Sequence, residues 1–194
     1  MIAEYILFSP YLFTRILLLI GALIVTVVWN IIFDPLSVLV RFRSLNPKTI
    51  IYALVQIIFF FPQIFGVRFL PLPDSFLSPF LNILGLIIYS MGIIIAVWAR
   101  ITMGNAWGMP GTWDKKREKK LIVSGPFRYS RNPIYLGLIL VCFGFELSLN
   151  SYLFLAAIIV FLYFYYEALN EEKILEREFR KKYLVYKKSV PRFI

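Results

Sequence analysis

Long apolar runs dominate the chain and are separated by short basic segments. They lie at 11–33, 50–69, 80–97, 133–149 and 152–166. A helix crossing a bilayer takes about 20 predominantly apolar residues. The pattern therefore predicts an all-α, polytopic integral membrane protein with five transmembrane helices. Only Asn150 and Ser151 separate the last two runs, which predicts a tight antiparallel helical hairpin. Glu146 lies near its tip, so the hairpin need not reach the far surface. The ten residues before the first run carry Glu4 and no Lys or Arg. That run is also too long for a signal-peptide core, so the first span is read as a retained anchor.

Composition sharpens this reading. Of 194 residues, 60% are hydrophobic and 16% charged, against about 45–50% and about 25% in soluble domains. The contrast argues strongly against a soluble globular protein and excludes a disordered one. There is one Cys and no His, which removes an internal disulfide, imidazole metal sites and His-dependent acid–base or nucleophilic chemistry.

Charge sets the orientation. All but Arg15 and Arg68 of the 21 Lys and Arg residues fall in segments 34–49, 98–132 and 167–194. With five spans these three segments share one side. The positive-inside rule makes that side cytoplasmic, with the N-terminus outside and the C-terminus inside. Arg15 and Arg68 fall near helix ends, where long side chains can reach the headgroups. The net charge of +10 is accounted for by this signal and by attraction to membrane lipids. No nucleic-acid-binding motif accompanies it, and nucleic acid is not expected as a partner.

The spans are almost bare of ionisable groups, unlike a transporter or channel. Their polar residues Thr26, Asn30, Gln56 and Asn82 are of the kind that joins helices. Function is therefore sought at the cytoplasmic boundary, in two dense segments. Segment 119–137 reads KKLIVSGPFRYSRNPIYLG. Its Ser124-Gly125-Pro126 is a turn, and Asn132-Pro133 opens a helix with a capping residue and Pro at the first helical position. Arg131, Asn132 and the helix N-terminus can bind a carboxylate or another anion. The same residues also read as a basic loop with an ordinary cap. Segment 167–194 carries the fifth helix onward as a cytoplasmic C-terminal helix. Ala168, Glu172, Leu175 and Phe179 fall on one face, with Glu171 on the flank. An acid on an apolar stripe is costly unless paired. The alternative is an interfacial helix whose acids, Glu176 and Glu178 above all, contact Arg or Lys one turn away.

Together these motifs resemble a known family. Gly125-Pro126-Phe127-x3-Arg131-Asn132-Pro133-x-Tyr135-x-Gly137, followed by Glu171-Glu172-x2-Leu175, Tyr183-x2-Tyr186 and Val190-Pro191-Arg192-Phe193, is similar to the isoprenylcysteine carboxyl methyltransferases. Those enzymes belong to a wider set of integral-membrane methyltransferases that includes the phospholipid methyltransferases. The resemblance covers 119–194, and the chain is similar to compact prokaryotic members. It divides the chain into a three-helix anchor, 1–97, and a cofactor-binding and catalytic part, 98–194. It implies S-adenosylmethionine as methyl donor, with S-adenosylhomocysteine as product. By position, Glu172 and Arg131 would carry catalysis. Lys120, Leu121, Ile122, Val123, Phe127, Asn132, Pro133, Tyr135, Glu171 and Glu172 would bind the cofactor, with Leu121–Val123 on the adenine side and Thr112 closing the pocket. Two positions depart from the family: Asn132 stands for its His, and Glu167 for an Arg of eukaryotic members.

The chemistry needs no His. A carboxylate acceptor is already ionised at neutral pH. The enzyme's work is to align it about 3–3.5 Å from the methyl carbon, worth up to roughly 7–11 kcal/mol. The implied partner is a lipophilic acceptor, such as a prenylated cysteine, entering from the bilayer. Two other readings compete. One is an NADPH-dependent sterol-type reductase with a similar C-terminal motif, in which an acidic residue follows the Gly where this chain has Leu138. The other is a non-catalytic scaffold that binds lipid headgroups.

Overall fold

The structure, a computed structural model, describes residues 11–32, 54, 56–104 and 120–193. Thr112 and segment 34–49 lie outside the described residues. Among the described residues the regular elements are all helical, apart from a lone antiparallel bridge between Pro71 and Ser151. The α-helices are α1 Leu12–Thr26, α2 Phe61–Ile64, α3 Ser78–Met103, α4 Pro133–Ser148, α5 Ala157–Phe179 and α6 Lys181–Ser189. Three stretches, Leu12–Trp29, Ser78–Met103 and Tyr152–Phe179, are long and apolar enough to cross a membrane. Pro133–Ser148 is a shorter apolar helix. Phe13, Phe80, Ile94 and Ile159 are exposed on these helices, Ile159 at 71%. Apolar surface of this kind is what lipid, not water, covers.

Several boundaries differ from the sequence expectation. α3 runs six residues past 97, because Trp98, Ala99 and Arg100 continue the helix without strain. It closes when Gly104 turns to φ +50° and the Arg100 Nη1 donates to the Gly104 carbonyl at 2.7 Å. The segment after residue 166 is not one helix. Arg180, at φ +46°, breaks it into α5 and α6. A non-glycine residue in that region is strained and persists only where its surroundings hold it. Here the break folds Tyr183, Tyr186 and Val190 of α6 and its exit onto Leu175 and Phe179 of α5 and onto Leu121.

The chain divides into two compact units. The first comprises Met1–Ser90 and Phe143–Phe154. Its helices are tied by polar side chains of just the expected kind. Asn82 Nδ2 donates to Thr14 Oγ1 at 2.8 Å and to the Ser148 carbonyl. Tyr89 donates to the Leu18 carbonyl at 2.7 Å. Glu146 is buried and accepts from Gln63 Nε2 at 2.8 Å. A buried acid in an apolar helix needs such a partner. The turn after α4 uses Asn150 at φ +49°, a conformation that Asn tolerates better than other non-glycine residues. Arg15 does not reach outward as its position suggested: it is 7% exposed, packed against the turn at Gly66.

The second unit comprises Met91–Cys142 and Leu155–Ile194. Here α3 and α4 meet backbone to backbone. A Cβ built on Gly92 would sit 2.7 Å from the Gly137 carbonyl oxygen, and one on Gly137 would sit 2.7 Å from that of Gly92. Small residues allow this approach where no water-driven burial holds helices together. α4 packs on α5 through Tyr135, which stacks on Phe164 with ring centroids 4.8 Å apart, and through Ala168.

Candidate functional site

The residues that open α4 are held in place by the segment after α6. Gly125–Arg128 forms a 3-10 turn with Gly125 at φ +59°. A Cβ at Gly125 would press to 2.8 Å on Thr102 Oγ1, so glycine is required on both counts. Phe127 is buried, and its carbonyl accepts from the Tyr186 hydroxyl at 2.7 Å. The Arg131 amide donates to the Pro191 carbonyl at 2.9 Å. Ser130 Oγ and Asn132 Nδ2 both donate to the Arg192 carbonyl, each at 3.1 Å. Four backbone and side-chain bonds thus join residues about sixty positions apart, just ahead of Pro133 at the start of α4.

One acid organises the charges. Glu172 is 3% exposed on α5. Arg192 grips it with two bonds, Nε to Oε1 at 2.6 Å and Nη2 to Oε2 at 3.1 Å. Arg131 Nη1 lies 3.1 Å from Oε1, and Lys187 Nζ lies 3.3 Å from Oε2. Lys187 also pairs with Glu176. Arg192 further donates Nη1 to the Tyr165 hydroxyl at 2.8 Å, with its guanidinium 4.9 Å from that ring's centroid. Hydrogen bonding to Glu172 holds the Arg192 pKa above its usual value. Bonds to Glu176 first, and then to Glu172, do the same for Lys187. Burial raises the phenols of Tyr183 and Tyr186.

This cluster carries three cations on one buried carboxylate, with Glu176 at its edge. Its balance is positive, and Arg131 is not used up. The Arg131 side chain is 8% exposed, its Nε is buried with no hydrogen-bond partner, and its Nη1 reaches Glu172 without hydrogen-bond alignment. An orphaned guanidinium donor in a cluster of net positive charge is a chemical match for a carboxylate.

The sequence-predicted residues are placed as follows. Arg131, Asn132, Pro133, Tyr135, Phe127, Glu171 and Glu172 come together at the junction of α4 and α5. Tyr135 donates to Glu171 Oε1 at 2.6 Å. Leu121 packs on the Tyr183–Tyr186 cluster. Ile122 is half-buried, while Val123 and Lys120 are exposed. Glu172 lies on the buried stripe as its spacing indicated, and Ala168 beside it is fully buried. The partner of Glu176 is Lys187, across the α5–α6 break, not a residue one turn along its own helix. Sequence reasoning did not place Arg192, Lys187 or Tyr165 in the site. The Val190-Pro191-Arg192-Phe193 motif was the one available signal for Arg192.

The family model for phospholipid methyltransferase matches residues 80–182, more than half of the chain. No curated protein matches the sequence. The match takes in α3, α4, all of α5 and the α5–α6 break, and so reaches back well before the motifs at 119–137. The chain belongs to the phospholipid methyltransferase family and is a membrane methyltransferase.

Proposed function

We propose that the protein transfers a methyl group from S-adenosylmethionine to a lipophilic acceptor at the cytoplasmic face of a membrane. The observation that carries this reading is the buried Glu172–Arg131–Arg192 cluster, with its unsatisfied Arg131 donor. When bound, S-adenosylmethionine supplies a methyl group on a positively charged sulfur. Arg131, steadied by Glu172, would offer its unpartnered Nε–H to the amino-acid carboxylate. Arg192 and Lys187 neutralise Glu172, so the pocket stays positive toward that carboxylate. Leu121 and Ile122 supply an apolar wall of the kind an adenine needs. Both Glu172 oxygens are already engaged by cations, so its proposed role is to hold Arg131 and Arg192 in register.

The membrane arrangement belongs to the same proposal. Five spans would place the three basic segments together in the cytoplasm, with the N-terminus outside. α4 and α5 would form the closing hairpin, and α6 would lie at the inner surface. The acceptor would partition into the lipid and approach between helices, while the polar donor arrives from the cytoplasm. Orientation of the acceptor, worth up to roughly 7–11 kcal/mol, is then the main catalytic contribution.

The carboxylate of a prenylated cysteine is the specific acceptor proposed. Glu167 is 6% exposed near the Tyr135–Glu171 pair, which makes acceptor charge the feature to test. Calorimetry with S-adenosylhomocysteine on the purified protein should give a saturable heat, and NADPH should give none. Heat with NADPH alone would favour the reductase, and none with either the lipid-binding scaffold. Methyl incorporation from labelled donor into farnesylcysteine, compared with whole lipid extracts, then identifies the acceptor.

A further inference from the structure

Segment 180–193 doubles back along α5. Lys187 pairs with Glu176, Arg192 grips Glu172, and Phe193 packs against Tyr165 and Phe161. Its contacts thus step down α5 as the chain runs forward.

The groups beneath it are closed off. Glu172 is 3% exposed, and Phe127, Asn132 and the Arg131 side chain are buried with it. Each is bonded to the segment itself. Tyr186 reaches the Phe127 carbonyl, Pro191 accepts from the Arg131 amide, and the Arg192 carbonyl accepts from Asn132. A molecule whose carboxylate is to meet Arg131 has to displace this cover.

The cover is held unevenly. Its far end carries the two-bond grip of Arg192 on Glu172. Nearer the turn, the Lys187 and Glu176 side chains are each about one-third exposed, and water screens their pairing. The outer side of α6 faces solvent or headgroups, with Lys181 and Lys182 exposed and Val185 at 70%. At the turn itself Arg180 takes φ +46° and ψ −121°. Glycine adopts such angles readily, and other residues hold them only under strain imposed by their surroundings. Arg180 is exposed, so the contacts that impose the strain are those made further along the segment. Releasing them relaxes Arg180, which brings an open arrangement nearer in energy to the closed one. Hinges are residues at element ends that absorb a change in φ and ψ, and Arg180 stands between α5 and α6.

We propose that segment 180–193 is a strap that turns about Arg180 and lifts from Glu172 to let the methyl donor reach Arg131. The identity of the donor rests on the methyl-transfer reading, and the movement does not.

Two measurements on the full-length protein in detergent test it. The first needs no ligand. Hydrogen exchange at the Arg131 amide, which is bonded to Pro191, reports lifting of the strap. It should run together with exchange in α6 and faster than global unfolding. Arg180→Gly, which removes the strain, should slow it at least about threefold. Arg192→Gln, which removes the grip, should speed it at least about tenfold. Exchange that follows global unfolding in all three proteins overturns the proposal. The second locks the strap. Glu176→Cys and Lys187→Cys, in a Cys142→Ala background, are joined by a reducible bis-thiosulfonate linker. S-adenosylhomocysteine should then associate and dissociate at least about tenfold more slowly, with Kd within about threefold, and reduction should restore both rates. Equal association rates before and after reduction overturn the proposal. So does slower association with unchanged dissociation, which marks a distorted site. If the reduced protein binds no S-adenosylhomocysteine, the methyl-transfer reading falls, and the exchange rates decide the movement.

Discussion

Arg192 holds Glu172 with two parallel hydrogen bonds, from Nε at 2.6 Å and Nη2 at 3.1 Å. The pair joins the segment after α6 to α5. Removing the acid leaves Arg131, Arg192 and Lys187 facing one another with Glu176 alone at the edge. Breaking a buried pair by deleting one partner costs about 3–5 kcal/mol. Glu172→Ala should therefore lower the thermal midpoint and abolish S-adenosylhomocysteine binding in calorimetry. Glu178→Ala, on the exposed side of α5, should stay within about 0.5 kcal/mol of wild type and bind normally. Equal losses in the two variants would contradict the inward-facing stripe.

Asn132 stands where the family has His, and its side chain donates to the Arg192 carbonyl. An imidazole N–H can make the same bond, so Asn132→His should bind S-adenosylhomocysteine with affinity within about threefold of wild type. Asn132→Leu leaves that carbonyl without its side-chain donors except Ser130 Oγ. It should cost about 1 kcal/mol of stability, read from denaturation midpoints in the same detergent.

The Gly92–Gly137 contact leaves no room for a side chain. Gly92→Val or Gly137→Val should force α3 and α4 apart and cost at least about 1–3 kcal/mol, as overpacking does. The methyl-transfer rate should fall with it, since α4 carries Tyr135 at the other side of the same turn region. A pair of variants with wild-type thermal midpoints would refute the close approach.

Alkaline pH should weaken the second unit in a defined direction. Tyr183, Tyr186 and Lys187 all have folded-state pKa values above their usual ones. The folded protein keeps protons that the unfolded chain releases above about pH 10. Their influence on stability is thus constant below about pH 10, and stability falls as pH rises from there through the folded values. Thermal midpoints measured from about pH 8 to about pH 11 should stay level and then drop, and Tyr186→Phe should make the drop shallower.

Orientation is tested by a tag placed after Ile194. In right-side-out vesicles a protease added outside should leave it intact, and permeabilisation should expose it. Digestion without permeabilisation would reverse the topology and move the site to the other face.

Much of this was readable in the chain because the signals were local. Long apolar runs showed α1, α3 and α5, and a 3.6-residue period placed Glu172 on an apolar stripe. Thr14, Asn82 and Tyr89 tie the helices of the first unit, and Asn82 was visible as an isolated amide in an apolar run. Other features were hidden by distance or by ordinary appearance. Arg192 sits in a basic stretch that serves as a topology signal, so its pairing with Glu172 could not be separated from bulk charge. The break at Arg180 has no Gly or Pro to announce it. Gln63 and Glu146 find each other across 83 positions. Gly92 and Gly137 look like scattered glycines until two helices are laid side by side.

The bonds from Ser130, Arg131 and Asn132 to residues 191 and 192 have a bearing on biosynthesis. While the ribosome is still extending the chain, α4 can already be inserted, yet nothing is available to clasp its entry. Ribosomes that stall, or messages cut before codon 192, yield a membrane-embedded product whose Glu172 lacks its bidentate counter-ion. On the proposed site, competence for alkylation would wait until translation has passed that arginine, and fragments ending before it should be inert and readily degraded.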